Sequence, residues 1–144
     1  MRAAGLRFAI LVSLPGLQAF AQPPSPWDRG ARLAEEGNYA AAVQTLTSAL
    51  ASSPAPTAAP YLLLSDCYVQ MKRPADAEQI LRKGLSAHPA NPLLELFLGE
   101  LLMDVQPYSL EAGQLLEHSV RTAPHDPEAR HSYARWAHMN LRER

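Results

Sequence analysis

Ala42, Ala77 and Ala112 stand 35 residues apart, and three further columns keep the same step: Leu46, Leu81 and Leu116; Leu50, Leu85 and Val120; Pro54, Pro89 and Pro124. Four columns on one period require stacked copies of a single supersecondary unit, because one such unit cannot bury its apolar face alone. Within each copy, Ala-x3-Leu-x3-Leu/Val places one face of a helix against a neighbour. Ala is small where two helices approach closely. Pro ends the helix because it lacks an N–H and its ring clashes with the preceding turn. The alanines are therefore packing, not chemistry.

A second helix precedes each of these. Tyr61, Leu64, Ser65 and Tyr68 form one ladder, and Leu98, Gly99 and Leu102 repeat most of it. Ser25-Pro26, Asn91-Pro92 and Asp126-Pro127 each put a capping side chain ahead of a first-turn proline, and Pro74 opens the second helix of the middle unit. Ser25 with Asp28 has the spacing of a capping box. No convincing alternating strand pattern interrupts the units, so the fold class is all-α, built from helix hairpins.

The first 21 residues read as an export leader. Arg2 and Arg7 supply a positive start, Phe8 to Leu17 a short apolar core, and Ala19-Phe20-Ala21 the small-x-small site, which places cleavage after Ala21. Ten residues broken by Pro15 and Gly16 are too few to cross a bilayer core of about 30 Å. The expectation is a signal peptide at 1–21, a domain at 22–144 with no transmembrane segment, and a periplasmic or extracellular location. Gln22, not a Cys, stands directly after the cleavage site, which argues against a lipid anchor. Setting Arg2 and Arg7 aside leaves 11 basic against 14 acidic residues. That balance argues against nucleic-acid binding, which needs a basic surface to displace counterions. Cys67 is the single cysteine, so no internal disulfide is possible. Its place in a helical ladder reads as a small core residue.

These features resemble the tetratricopeptide repeat family, whose pattern runs Trp-x2-Leu-Gly-x2-Tyr, then Gly-x-Tyr, Ala-x3-Phe and a closing Pro. The middle unit carries Tyr61-x2-Leu64-Ser65-x2-Tyr68, Ala77-x3-Leu81 and Pro89; the third carries Leu98-Gly99-x2-Leu102, Ala112-x3-Leu116 and Pro124. The first carries Gly30-x2-Leu33, Gly37-x-Tyr39, Ala42-x3-Leu46 and Pro54. The resemblance implies an exported bacterial member folded as a right-handed α-solenoid of antiparallel helix pairs. Its units fall at about 23–57, 58–91 and 92–126, with a C-terminal capping helix at 127–144. Three departures stand out: Arg29 at a large apolar position, Lys72-Arg73-Pro74 and Gln106-Pro107 in place of Gly-x-Tyr, and a polar closing helix with Tyr133 and Ala134 at its apolar positions. A period of 35 also suits pentatricopeptide repeats, which read RNA. Residues 84–120 hold no Lys or Arg but five acidic side chains, the wrong sign for that ligand.

The resemblance further implies that the first helix of each pair lines a concave groove for an extended peptide or a partner helix. Counted by helical position, the groove residues are Trp27 (with Ala31 and Ala34), Leu62, Asp66 and Val69, then Leu96, Glu100 and Met103, and finally His131 and Arg135 with His138. Some family members hold a chaperone's C-terminal carboxylate with Lys, Arg and Asn; Asp66 and Glu100 here predict the opposite preference, a protein or peptide partner with apolar anchors and a basic residue. Asp66, Glu100 and Arg135 occupy equivalent places, so Glu100 and Arg135 also read as an ion pair. His131 and His138 lie two turns apart, about 10.5 Å, too far for one zinc ion. Glu95 and Glu100 face apart with no neighbouring His or Ser to complete a site. The functional expectation is a non-catalytic interaction scaffold without metal or cofactor. The rivals are an assembly unit docking through its terminal helices, and a hydrolase or metal-dependent enzyme.

Overall fold

A computed structural model describes residues 24–53, 55 and 57–141, so the leader and its cleavage site at 1–21, and Pro54 of the repeat, lie outside the described residues. Seven helices follow: α1 Pro26–Glu35, α2 Tyr39–Ser52, α3 Ala59–Gln70, α4 Pro74–Ala87, α5 Pro92–Val105, α6 Leu110–Thr122 and α7 Pro127–Leu141. Among the described residues there is no strand. The caps explain the boundaries. Asp28 N–H donates to Ser25 Oγ (3.2 Å) while Ser25 N–H donates to Asp28 Oδ2 (3.1 Å), the reciprocal capping box. Asn38, Asn91, Ser109 and Asp126 each accept from backbone N–H groups at the start of α2, α5, α6 and α7.

The architecture is the expected solenoid of antiparallel pairs α1/α2, α3/α4 and α5/α6, closed by α7. Each helix packs on its chain neighbours, and α1, α3, α5 and α7 also touch in series. The even-numbered helices reach one another through side chains such as Arg82 of α4 and Glu111 of α6. The odd-numbered helices are thus the inner, more closely spaced row. Arg82 donates to both Glu111 oxygens (2.7 and 3.1 Å), which holds the Glu111 carboxyl below its ordinary range. Both side chains are nearly half exposed, so the clasp contributes little more than register.

The repeat columns are the core. Ala42, Ala77, Ala112, Leu46 and Leu116 are fully buried and Leu81 nearly so. Cys67 is buried too, and burial pushes its thiol pKa up, as expected of a core residue. At the first helix pair, Pro26 and Arg29 face Gln44, Thr45 and Ser48 across an open cleft of about 480 Å³; at the Arg29 and Thr45 positions the other units carry Leu64 and Ile80, and Leu98 and Leu115.

The turn within each pair shows how sequence departures are absorbed. After α1, Gly37 takes φ 76°, and its N–H bonds Ala34 O while Asn38 N–H bonds Leu33 O. One period later Lys72 takes φ 59° and its N–H bonds Val69 O, while Arg73 N–H bonds Tyr68 O, the same pair of bonds. A side chain in that left-handed region is strained. Lys72→Gly is expected to stabilise the chain by about 0.5–1 kcal/mol, seen as a higher urea midpoint. An unchanged or lower midpoint would contradict this account. One period on stands Pro107, whose ring holds φ near −65° and forbids the motif. There Ser109 N–H bonds Gln106 O (2.9 Å), and α6 starts one residue later in its unit than α2 and α4.

The closing helix corrects one expectation. Its buried side is Ala129 and Ser132, with Tyr133 and Trp136 partly covered; Ala134 is exposed. Trp136 lies across Gly113, where any Cβ would overlap the indole, and its Nε1–H donates to Ser109 O (3.0 Å). Asn140 Nδ2 reaches Pro107 O (3.4 Å). α7 is therefore pinned to the α5–α6 turn as well as to the helices themselves.

Candidate functional site

The inner row of helices carries two clefts. The first lies between α1 and α3, measures about 280 Å³, and is lined by Trp27, Ala31, Ala59, Pro60 and Leu63 over Leu46. The second lies between α3 and α5, measures about 180 Å³, and is lined by Asp66, Val69, Phe97, Glu100, Leu101 and Asp104 over Leu81. These volumes exist because successive inner helices splay above the small Ala and Leu columns that hold the outer row against them.

Of the residues picked by helical counting, Trp27 lines the first cleft and Asp66, Val69 and Glu100 line the second. Leu62 is partly buried against the main core. Leu96 and Met103 correct the expectation: they are 0% and 2% exposed, so they form core rather than groove floor. Leu96 packs with Leu116 and Ala129 because α7 covers that side of α5. His131, Arg135 and His138 are exposed on α7, and none of the three lines either cleft described above. Helical counting missed Phe97, Leu101 and Asp104. Their i, i+4, i+7 spacing beside Glu100 was the available signal.

The acidic groups differ in what they already hold. Glu100 does not pair with Arg135: it accepts a short hydrogen bond from Ser132 Oγ, while Arg135 approaches Asp104 at 3.6 Å. Among the described residues Asp66 has no cationic partner and is contacted by Gln70 Nε2 at 3.3 Å. Asp66 is exposed, and so is the neighbouring Val69, at 42%. The second cleft thus joins apolar walls to two carboxylates without a cationic partner, Glu100, which already accepts from the Ser132 hydroxyl, and the exposed Asp66.

Glu95 corrects the reading that no His or Ser stands near the two glutamates. It sits where the middle unit has Tyr61, is 7% exposed, and is 2.7 Å from His118 Nδ1 on α6. A buried carboxylate needs such a partner. Glu95 and Glu100 are therefore satisfied by different helices, α6 and α7, and share no site. Among the described residues no three His, Cys, Asp or Glu side chains gather as a metal site requires. No helix among them is long and apolar enough to cross a membrane.

Residues 33–101 match the family model described as Tetratricopeptide repeat. Comparison with curated proteins yields no match. Among solved structures the chain is similar to the second TPR domain of human RPAP3 in complex with the HSP70 peptide SGPTIEEVD, with 20% identity, 78% of this chain and 92% of that chain covered, and a TM-score of 0.69. It is similar to the first TPR of Spaghetti (RPAP3) bound to the HSP90 peptide SRMEEVD, with 17% identity, 79% and 89% covered, and a TM-score of 0.71. It is also similar to the Yersinia enterocolitica type III secretion chaperone SycD in complex with a peptide of the translocator YopD, with 16% identity, 81% and 87% covered, and a TM-score of 0.65. At these identities the likeness is one of fold.

Proposed function

We propose that this tetratricopeptide repeat chain is a non-catalytic interaction module that captures a peptide or helix on its inner face, in the cell envelope or outside the cell. One observation carries the reading: Asp66, without a cationic partner, stands at the mouth of an apolar cleft walled by Val69, Phe97 and Leu101. The occupant that suits it presents an apolar anchor beside a Lys or Arg. Proteins of the same fold have been solved with peptides bound, which supports peptide capture as the mode. The two chaperone peptides named above carry paired glutamates near their ends, the wrong charge for Asp66. The clefts are walled by packed helices, which limits the ordering entropy that the protein itself loses on binding. The leader composition of residues 1–21 supports export. The assembly reading needs a sticky terminal helix, whereas α7 turns Trp136 inward and exposes Arg130, His131 and His138.

Asp66→Lys is the discriminating variant, because Glu100→Lys would also break the Ser132 contact that ties α5 to α7. Crosslinked capture from the native cell with the wild-type chain should retain a partner that the Asp66→Lys chain loses by roughly tenfold. Equal capture by both moves the working face elsewhere. The endogenous chain recovered in the same experiment should begin at Gln22; a mass beginning at Met1 would sink the export reading.

A further inference from the structure

The two clefts are one structural feature repeated. Leu46 and Leu81, one period apart, form their floors, and Ala31 and Asp66, also one period apart, stand on corresponding walls. What differs is the chemistry. In the first cleft the acidic neighbour, Asp28, has its carboxylate engaged by Ser25, so the lining presents Trp27, Ala31, Ala59, Pro60 and Leu63 to an occupant. In the second cleft the corresponding Ala has become Asp66. Between α5 and α7, direct side-chain contacts take the corresponding place. Leu116, the next floor residue, is fully buried beneath α7, and the Glu100–Ser132 and Asp104–Arg135 contacts hold α5 and α7 together.

We infer that the ligand is read at two points: a large apolar side chain enters the α1/α3 cleft, and a Lys or Arg four residues away on an extended chain reaches Asp66 at the α3/α5 cleft. The inference rests on the peptide-capture reading and adds a spacing and a division of labour to it. The spacing follows from helix geometry. The clefts are separated by one inter-helix step, about 8–10 Å. They are also displaced along α3, the first meeting residues 59–63 and the second residues 65–69, a shift of about six residues or ~9 Å. The diagonal is about 13 Å, which an extended chain covers in roughly four residues at ~3.3 Å each. An even separation also points both side chains to the same face of the strand, so parity and distance agree. Charge separates the two clefts: Asp28 at the first is already held by two hydrogen bonds from Ser25, whereas Asp66 at the second is contacted only by Gln70 Nε2 and is the freer counter-charge for a cation.

The test is selection of a displayed library of random linear peptides on the full chain. Enriched peptides should share a Leu, Ile, Phe or Met and a Lys or Arg separated by four positions. Asp66→Lys should abolish the basic preference, keep the apolar one, and weaken a selected peptide by about tenfold. Ala59→Gln, which fills the mouth of the first cleft, should do the reverse. Both positions are exposed, and circular dichroism of each variant confirms that it is folded. Enrichment lost by Asp66→Lys but lacking a fixed separation of four overturns the two-point reading while peptide capture stands. No enrichment, or binding indifferent to both substitutions, overturns peptide capture itself and this inference with it.

Discussion

Leu116→Ala should lower the unfolding free energy by about 3–4 kcal/mol, a large part of the 5–15 kcal/mol that holds a domain of this size together. Leu116 is fully buried between α5 and α7, packed with Leu96 and Ala129 and flanked by Phe97, Val120, Tyr133 and Trp136. Part of the cost is the lost transfer of the side chain from water, and part is the cavity left behind. That cavity cannot close easily. Gly99 already brings the backbone of α5 so near that an added Cβ would lie 2.8 Å from Leu116 Cγ, and the Gly99 site offers no side chain to fill the space. A solenoid is held by nearest-neighbour interfaces, so the loss should be local first. Urea unfolding should show the drop, and hydrogen exchange should show α5, α6 and α7 losing protection before α1 to α4. A change below about 1 kcal/mol, or uniform loss of protection, would mean that the Leu column is not the element joining the last units.

Trp136→Ala should cost about 3 kcal/mol and release α7 from the α5–α6 turn. The indole is only partly buried, yet it covers Gly113, stacks at 6.1 Å on Tyr133, and donates the Nε1–H bond to Ser109 O. The lost contacts are therefore both apolar and polar. Gly113 provides the internal control. Gly113→Ala in the otherwise unchanged chain should destabilise by about 2 kcal/mol, because its Cβ must displace the ring. In the Trp136→Ala background the same change should be neutral or should stabilise by up to about 1 kcal/mol, since Ala is the better helix former once nothing lies against it. The double-mutant cycle should thus report a coupling of about 2–3 kcal/mol. Additive effects would show that Gly113 and Trp136 are not in contact in solution.

Much of the fold was legible because the repeat constrains many positions at once. The Ala and Leu columns, the prolines and the cap residues all recur or mark boundaries, and each corresponds to a local physical requirement: a small side chain at a close approach, a side-chain acceptor for free N–H groups, a residue that cannot continue a helix. The candidate site was legible only in part. Asp66, Val69 and Glu100 fall at groove positions by counting, but Leu96 and Met103 fall there too and are buried. Counting assigns a direction on an isolated helix, whereas exposure depends on which neighbour covers that direction. On α5 the cover is α7, whose register the Tyr133-Ala134 pair suggested wrongly by one residue.

The sequence alone determined the secondary structure, the stacking of three pairs and a closing helix, and the repeated Ala and Leu columns of the core, because those follow from periodicity and from short-range rules. Tertiary structure alone decided which charges remain available. Glu95 meets His118 from 23 residues away, Glu100 meets Ser132 from 32, and Arg135 turns to Asp104 instead of Glu100, leaving Asp66 without a cationic partner. Such pairings depend on distances of a few ångströms between different helices, and a one-residue rotation of α7 changes the partners of Glu100 and Asp104 while leaving the repeat pattern untouched.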